Sequence, residues 1–172
     1  MKQYLETLVI RKIKQNDLPE LEWEGEFKHF RRLYINAFQN QQNGNAVLWA
    51  AELPEAGIIG QVFVQLSGSR PELADGQFRA YIYSVRIKRK FRNFGIGSKI
   101  MRHAEQDILQ RGYSFATLNV GKQNSKARRF YQRLGYQVIS DEPGYWSYLD
   151  HHGKRRYVHE PSWRMQKQLK SV

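Results

Sequence analysis

Residues 91–97 combine a cation, two glycines and a helix start, which are the features of an anion-binding loop. The segment reads Phe-Arg-Asn-Phe-Gly-Ile-Gly, and Arg92 supplies a fixed positive charge. Gly95 and Gly97 allow a ligand to approach the main chain closely, and the first N–H groups of a helix lack internal partners. We therefore predict that these N–H groups converge on a pyrophosphate.

A strand and a helix flank this loop and would position it. The strand candidate at residues 81–87 is rich in aromatic and β-branched side chains. After the loop, Ile96, Ile100, Ala104 and Ile108 fall on one stripe of a helix. Ile100 stands where a dinucleotide-binding fingerprint needs glycine or alanine, and no upstream glycine completes a nucleotide-hydrolase phosphate loop. A plain strand-to-helix turn stays an alternative to the pyrophosphate loop.

A second group of polar residues follows the strand candidate at residues 116–120. Asn124 or Ser125 is suited to cap the next helix, and Gly135 is suited to end it in a left-handed turn. On this helix Tyr131 lies at the edge of the inward-facing apolar stripe. A core aromatic with a hydrogen-bonded hydroxyl is the ordinary interpretation of such a tyrosine.

Together the two segments resemble the GNAT superfamily of acetyl-CoA-dependent N-acetyltransferases. The acetyl-CoA loop of that family has the form Arg/Gln-x-x-Gly-x-Gly/Ala, which residues 92–97 match. The later pattern Asn-x-x-Ala-x-x-x-Tyr-x-x-x-Gly-Tyr/Phe is matched by residues 124–136. The resemblance implies an α/β (α+β) fold in a single domain over residues 1–172. Its mixed sheet would have six or seven strands, splayed at the centre and flanked by helices, with pantetheine in the gap.

The resemblance also assigns a task to each matched position. Main-chain groups of Val85, Arg86 and Ile87 would pair with pantetheine and hold the thioester carbonyl, as a strand edge can. The Asn124 side chain would hydrogen-bond the pantetheine arm, and the Tyr131 hydroxyl would donate a proton to the departing sulfur. The pyrophosphate of acetyl-CoA would be held by the main-chain amides of Arg92, Asn93, Phe94, Gly95, Ile96, Gly97 and Ser98.

Proton donation by Tyr131 has an energetic difficulty. A tyrosine hydroxyl, with a pKa of about 10, is a weaker acid than a thiol, with a pKa of about 8.5. Arg128 and Arg129 are near Tyr131 in sequence and are candidates for acidifying the phenol. Solvated charges on an exposed helix face are the alternative interpretation of both arginines.

The implied reaction is direct attack of an amine on the thioester through a tetrahedral intermediate, with no covalent acyl-enzyme. The chain contains no cysteine, which agrees with this route. An unperturbed lysine-like amine has a pKa of about 10.4, so about one molecule in a thousand is nucleophilic at neutral pH. The central strand offers Tyr81, Tyr83 and Ser84 but no acid to act as the base. We assign no base, and the alternatives are a water chain to solvent or one of Glu20, Glu22, Glu24, Glu26, His29, Asp141 and Glu142.

The formal net charge of +12 is concentrated at residues 86–92, 122–133 and 154–156. Part of this charge would attract the anionic coenzyme and steer its capture. Contact with nucleic acid, the ribosome or a membrane surface is one use for the remainder, and a basic surface without a specific partner is another. A non-catalytic CoA-binding basic module that contacts RNA or a protein is therefore the alternative to an enzyme.

Composition narrows the class of protein. With 172 residues and 41% hydrophobic content, the chain is predicted to form one domain with a substantial core. No run reaches transmembrane length and residues 1–6 begin no signal segment, so a cytoplasmic location is expected. The absence of cysteine excludes disulfides. The pair His151 and His152 beside Gly153 indicates a hairpin loop, so no metal is expected.

Periodicity predicts the remaining elements and the acceptor region. A helical pattern over residues 21–42 is interrupted at Gly25, and a helix is predicted over residues 97–111. The acceptor amine is expected to be selected by residues 23–27 and 144–156. Protein amino groups, polyamines, aminoglycosides and other small amines stay open as acceptors, and a homodimer stays open as well. Further strands are predicted at residues 8–13, 46–52, 57–66, 146–149 and 163–169, and from Tyr136.

Overall fold

The computed structural model describes residues 3–170 and is built around a seven-stranded mixed sheet. The strands are β1 (Val9–Lys12), β2 (Ala46–Leu53), β3 (Gly57–Gln65), β4 (Arg79–Ile87), β5 (Phe115–Gly121), β6 (Gln137–Glu142), β7 (Tyr145–Leu149), β8 (Arg155–His159) and β9 (Ser162–Gln168). The large sheet has the order β1-β2-β3-β4-β5-β9-β6, and β7 pairs with β8 in a separate hairpin. The β4–β5 junction is parallel, and the other junctions of the large sheet are antiparallel.

Helices cover both faces of the large sheet. The α-helices are α1 (Gln3–Thr7), α2 (Arg31–Gln42), α3 (Ile96–Gln110) and α4 (Ser125–Arg133). Short 3₁₀ segments occupy Gln15–Glu22, Lys28–Phe30 and Arg89–Phe91. Side chains from α3 and α4 pack on one face of the sheet, called the α3 face, and those of α2 pack on the opposite face, called the α2 face.

The α3 face holds the larger apolar core. The predicted stripe of Ile96, Ile100, Ala104 and Ile108 is confirmed, because each of these side chains is at most 1% exposed. Burial of an isoleucine side chain contributes about 1.5–3 kcal/mol, so this stripe fixes α3 on the sheet. It also fixes the loop that precedes α3, because that loop ends at the first buried residue of the stripe.

The parallel junction between β4 and β5 is short. Residues 79–81 of β4 pair with residues 115–117 of β5, and the pairing then stops. Beyond this point β4 continues along β3 as far as Ile87, and β5 continues along β9 as far as Gly121. The two strands therefore diverge, and their inner edges border a gap. This is the splayed sheet that the sequence predicts.

Two elements are absent from the predicted set. Helix α1 is a single short turn of five residues, too short to show a periodic pattern. Strand β8 reads Arg-Arg-Tyr-Val-His and stands in an exposed hairpin, so it lacks the apolar alternation of a strand with one buried face. The expected lack of a signal segment concerns residues 1–6, of which Met1 and Lys2 lie outside the described part of the chain.

The predicted interruption at Gly25 is confirmed, but the segment before it is 3₁₀ rather than α-helical. Trp23, Glu24 and Gly25 follow with φ angles of 46°, 55° and 98°. A left-handed conformation costs a residue with a side chain about 1–2 kcal/mol, so this joint stores strain at two consecutive positions. Within residues 3–170, no helix is long and apolar enough to cross a membrane.

Candidate active site

A bulge in β4 decides which of its side chains face α2. Tyr83 and Arg86 are three residues apart, yet their partners on β3 are two residues apart, so Ser84 and Val85 share the space of one residue. Ser84 adopts a φ of 52° at this point. The extra residue keeps Arg86 on the α2 face with Tyr83, where its guanidinium meets α2. Val85 and Ile87 pack on the α3 face.

The main-chain groups of β4 after the bulge divide between β3 and the gap. The Lys88 amide donates to the Ile59 carbonyl of β3 at 2.7 Å. Because main-chain groups alternate sides along a strand, those of Arg86 also face β3, whereas those of Val85 and Ile87 face the gap. The main chain of all three residues is predicted to bind pantetheine. Val85 and Ile87 face the gap as this prediction requires, whereas the main chain of Arg86 faces β3.

The predicted pyrophosphate loop has a run of free amides. The N–H groups of residues 93–98 donate to no acceptor within the described part of the chain. Asn93 and Gly95 have φ angles of 67° and 82°, a conformation that turns successive N–H groups toward one side. The Arg92 side chain is exposed, and its Nε donates to the Ile87 carbonyl at 2.8 Å. Such a group of free donors is suited to an anion, as predicted for this loop.

Helix α1 packs against this loop and against the first turn of α3. The Tyr4 ring makes edge-on contacts with the rings of Phe91 and Phe94, with centroids 5.3 and 5.0 Å apart. The Lys99 ammonium donates to the Leu5 carbonyl at 2.8 Å. The supporting role of α1 has no sequence signal beyond one tyrosine and one leucine in a short polar segment, so sequence analysis did not find it.

Helix α4 brings Asn124 and Tyr131 to the same region. The Asn124 carbonyl oxygen accepts from the Ala127 amide at 3.1 Å and caps α4, which leaves its NH₂ group as a donor. The Phe130 ring lies 3.3 Å from the point where a Cβ on Gly97 would stand, so α4 adjoins the start of α3.

Tyr131 is buried, with 9% of its surface exposed, and its hydroxyl forms no hydrogen bond to residues 3–170. Burial, followed by the neighbouring Tyr81, raises the pKa of the Tyr131 hydroxyl to about 12. Arg128 does not acidify it, since that guanidinium lies over the Trp163 ring at 5.5 Å. Of the two interpretations of the nearby arginines, acidification of the phenol finds no support, because burial is the largest cause of the shift in its pKa.

Polar side chains gather where β4 and β5 separate. Tyr81 is the last β4 residue paired with β5, and its ring stacks on that of Tyr83 with centroids 5.4 Å apart. Burial raises the pKa of both hydroxyls. The side-chain oxygen of Asn119, Oδ1, on β5, is buried with no hydrogen-bond partner in the described residues. An unsatisfied polar atom of this kind marks a place for a ligand or water.

Four of the six acids considered as bases are held by other groups, while Glu26 is exposed and acts on Arg86 only electrostatically. Glu20 accepts from the Ile58 amide at 2.7 Å, and Glu22 pairs with Arg31 at 2.8 Å. Glu24 pairs with Lys88 at 3.5 Å, and Asp141 pairs with Lys122. These contacts agree with the absence of an assigned base.

Glu142 is also unsuited to that role. Burial alone would raise the pKa of Glu142, but hydrogen bonds from Arg70 and Arg164 outweigh it and lower the pKa to about 2. A carboxylate with so low a pKa is a poor base at neutral pH. The His29 ring lies against the rings of Phe30 and Tyr148, at 4.2 and 6.3 Å between centroids.

An aromatic cluster covers the α2 face beside the bulge. The Phe30 ring contacts Tyr34 on α2 and both Trp146 and Tyr148 on β7, with centroids 5.1–6.5 Å apart. Phe30 also stacks on Phe27, and both rings lie close to Arg86. Phe30 thus connects residues 23–27 with β7, which lies within residues 144–156, the other segment predicted to select the acceptor. Sequence analysis assigned only the main chain of Arg86, and its side chain is a component of the site that the analysis missed.

Residues 11–136 match the acetyltransferase (GNAT) family. The chain belongs to this family. The predicted membership of the superfamily of acyl-CoA-dependent N-acetyltransferases is thus confirmed, and so is the predicted α/β fold with its mixed, helix-flanked sheet. Among residues 3–170, no three histidine, aspartate or glutamate side chains are grouped to hold a metal ion.

Relatives of this family member differ in their acceptors. A 5-NmdU N-acetyltransferase of Pseudomonas phage PaMx11 is 35% identical over 63 residues, which span 37% of this chain and 43% of the phage protein. N-alpha-acetyltransferase 50 of Danio rerio is 24% identical over 127 residues, which span 73% of this chain and 75% of the fish protein. The crystal structure of Arabidopsis thaliana NAA60 in complex with acetyl-CoA is similar in fold, with a TM-score of 0.70 and 21% identity over 95% of this chain and 99% of the plant chain.

Proposed function

We propose that this chain transfers the acetyl group of acetyl-CoA to a primary amine by direct attack through a tetrahedral intermediate. The observation that carries the proposal is the run of free amides at residues 93–98, which lies beside the gap between β4 and β5. A phosphate-binding loop and a slot for an extended ligand, side by side, suit a carrier such as CoA.

Acetyl-CoA would be held along the whole gap. The amides of residues 93–98, with Arg92, would bind the pyrophosphate, and the free NH₂ group of Asn124 would donate to the pantetheine arm. The gap-facing main chain of Val85 and the N–H of Ile87, whose carbonyl accepts from Arg92, would pair with pantetheine and hold the thioester carbonyl. When bound, the coenzyme supplies the activated acetyl group, and the chain supplies position and protons.

Tyr131 is the proposed proton donor. Its raised pKa keeps the hydroxyl protonated at neutral pH, and the absence of an internal hydrogen bond leaves that proton available to the departing sulfur. Burial raises the pKa of a thiol as well as that of a phenol, so the sulfur gains basicity in the same buried gap.

The amine must lose a proton before or during its attack. Glu142 acts electrostatically on Tyr81 but is held by two arginines, and Tyr81, Tyr83 and Asn119 present polar atoms near the gap. We propose that water ordered by these three side chains carries the proton to solvent.

The acceptor is proposed to be a neutral or anionic molecule that bears an amine. The net charge of +12 would repel a polycation such as a polyamine. The names of the two relatives indicate different acceptors, so neither acceptor is assigned to this chain.

We also propose that residues 1–172 form one acetyltransferase domain, because the family match spans most of the chain.

A panel of amines tests the function. The protein is incubated with acetyl-CoA and each amine, and release of free CoA is measured together with the mass of the acetylated amine. Acetyl-CoA binding is measured separately by titration calorimetry. Transfer to at least one amine supports the enzyme. Binding without transfer to any amine supports the non-catalytic CoA-binding module, and absence of binding by folded protein contradicts both.

A further inference from the structure

Arg86 is a half-buried cation without an acidic partner. Residues 3–170 place no carboxylate within 4.0 Å of its guanidinium. Glu26 acts on it electrostatically, but this side chain is exposed and makes no ion pair with it. Burial lowers the pKa of Arg86, and the contact with Tyr34 only partly opposes that effect. A desolvated cation of this kind is costly unless an anion joins it.

Some of the N–H donors of Arg86 form hydrogen bonds within the protein, and others do not. Its Nη1 donates to the Tyr34 hydroxyl at 2.6 Å and to the Ser84 hydroxyl at 3.2 Å, which accounts for both Nη1 hydrogens. The Nε and Nη2 groups have no acceptor in the described part of the chain, and neither atom is fully buried. Together these two groups form the edge of a guanidinium that matches the two oxygens of a carboxylate.

Aromatic rings hold the guanidinium without blocking that edge. The Phe27 ring lies over the Arg86 Cζ at 4.2 Å, and the Phe30 ring lies at 5.1 Å. A ring stacked on the flat face of a guanidinium leaves the in-plane N–H groups free. The cation is therefore fixed in orientation, with one edge available for an anion.

The strained joint at residues 23–25 presents Phe27 to Arg86. The Trp23 side chain, 5% exposed, anchors the joint and contacts the Phe27 ring edge-on at 5.2 Å between centroids. Backbone strain persists where the surrounding structure enforces it, and it is common in ligand-binding segments. Here it places an aromatic side chain over a cation next to the catalytic gap.

The position of Arg86 relates it to the reacting amine. Arg86 directly follows Val85, whose main chain faces the gap, and its side chain lies on the α2 face with Tyr83. One strand residue spans about 3.3 Å, so Arg86 is the neighbour along β4 of Val85, whose main chain is proposed to hold the thioester. An acceptor whose amine reaches the thioester from the α2 face would pass Arg86.

We propose that the Nε and Nη2 edge of Arg86 binds a carboxylate carried by the acceptor, so that the preferred substrate is a small amine that also bears a carboxylate. The inference rests on the proposed acetyltransferase function, because it names the acceptor class of that same site. Arg86 is thereby a specificity-determining residue, and Tyr34 and Ser84 only accept from its Nη1 group.

Matched pairs of amines test this proposal. We compare kcat/KM for β-alanine with that for β-alaninamide, and for 4-aminobutyrate with that for its amide, each normalised to the fraction of free amine. The carboxylates should be preferred by about 10- to 100-fold, mainly through KM, as expected for a charge-assisted bidentate contact. The ratio is insensitive to a general loss of activity. Phosphoethanolamine against ethanolamine distinguishes a phosphate from a carboxylate as the anion.

Variants assign the preference to the guanidinium edge. Arg86→Met should reduce the ratio to about one, and Arg86→Lys, which retains the charge without the fork, should leave a small part of it. Tyr34→Phe removes an acceptor of Nη1 but spares the free edge, so the ratio should persist. A melting curve for each variant verifies folding, and Arg86→Lys serves for comparison if Arg86→Met does not fold.

A binding measurement separates this proposal from the proposed function. With CoA present, 4-aminobutyrate should raise the melting temperature of the protein more than its amide does, and Arg86→Met should abolish the difference. If that difference is found but no amine is acetylated, the acetyltransferase function is wrong and the carboxylate site stands. A wild-type ratio near one, a ratio unchanged in Arg86→Met, or a stronger preference for phosphate overturns the carboxylate site.

Discussion

The Tyr136 hydroxyl donates a 2.9 Å hydrogen bond to the buried Glu105 carboxylate. Its ring lies 6.0 Å from that of Tyr131, between centroids, and both side chains are buried. Two neighbouring tyrosines thus differ in one respect, since the hydroxyl of Tyr136 is satisfied inside the protein and that of Tyr131 is not. Removal of each hydroxyl should therefore affect a different property.

We expect Tyr131→Phe to lower kcat by about 100-fold or more, the range for loss of a general acid. Because its hydroxyl makes no internal hydrogen bond, the unfolding free energy and the Kd for acetyl-CoA should stay unchanged. Steady-state kinetics, calorimetry and denaturant unfolding measure the three quantities. A Tyr131→Phe variant with full turnover would contradict its role as proton donor.

The matched variant Tyr136→Phe should show the reverse pattern. It deprives Glu105 of one donor, and the remaining donor is Lys167 at 2.6 Å. We expect the free energy of unfolding to fall by about 1–2 kcal/mol and kcat to change less than twofold. Denaturant unfolding monitored by tryptophan fluorescence gives the first value.

Gly95 tests the geometry of the pyrophosphate loop. Alanine at this position would be strained, because φ is 82°, although its nearest neighbour, Leu5, would be 3.5 Å from the new Cβ. We expect Gly95→Ala to cost about 1 kcal/mol of stability and to raise the Kd for acetyl-CoA about tenfold or more. Gly112, with φ of 92° and open space around it, is the matched control. Gly112→Ala should lose similar stability and keep its Kd, so equal effects on Kd would argue against the loop.

Asn124 has one group that caps α4 and one that is assigned to the coenzyme. Asn124→Ala should lower stability by about 1 kcal/mol through loss of the cap and should also raise the Kd for acetyl-CoA. Asn124→Asp retains a capping oxygen but loses the NH₂ donor, so stability should persist while the Kd rises. Thermal melting and calorimetry on both variants separate the two effects. Equal Kd values for wild type and Asn124→Asp would remove Asn124 from the coenzyme site.

The ion cluster at the edge of the sheet makes stability depend on pH. Glu142 accepts from Arg70 at 2.6 Å and from Arg164 at 2.5 Å, and its folded-state pKa of about 2 lies below the ordinary value. The carboxylate therefore stabilises the fold above about pH 4.3, and this contribution is lost as the pH falls toward 2.

Glu142→Gln should lower the melting temperature at pH 7 and flatten its dependence on pH between about 4.5 and 2. The control is Glu72→Gln, which removes a more exposed partner of Arg70 and should change the melting temperature little. Melting curves at half-unit pH intervals measure both variants. A Glu142→Gln curve parallel to that of the wild type in this range would exclude the proposed cause.

Local patterns made the coenzyme side of this site predictable. Two glycines at a helix start indicate the loop before α3, and an apolar stripe of four residues indicates α3 itself. Both patterns are formed by residues close together in sequence. Asn124 and Tyr131 were assigned through the resemblance of residues 124–136 to the family pattern. Their individual roles stay predictions, and the structure adds the free amides and the unsatisfied hydroxyl that support them.

The acceptor side was not predictable in the same way. The side chain of Arg86 faces α2 because one extra residue in β4 shifts the alternation, and a shift of one residue exchanges the two faces of a strand. No local pattern encodes the position of that bulge. Strand β8 was missed because its side chains are solvent-exposed, and the contact of Phe27 with Arg86 joins segments about sixty residues apart.

The brevity of the parallel junction has a consequence for assembly of the molecule. In the described part of the chain, a ladder of three residue pairs between β4 and β5 joins the first four strands to the remaining three of the large sheet. A coenzyme lying between the inner edges would bind both halves of the sheet and hold them together. Within each half, every strand is already paired with a neighbour. Cleavage of the chain at Gly112 should then yield fragments that reassociate more tightly, and exchange their amide hydrogens more slowly, when acetyl-CoA is present.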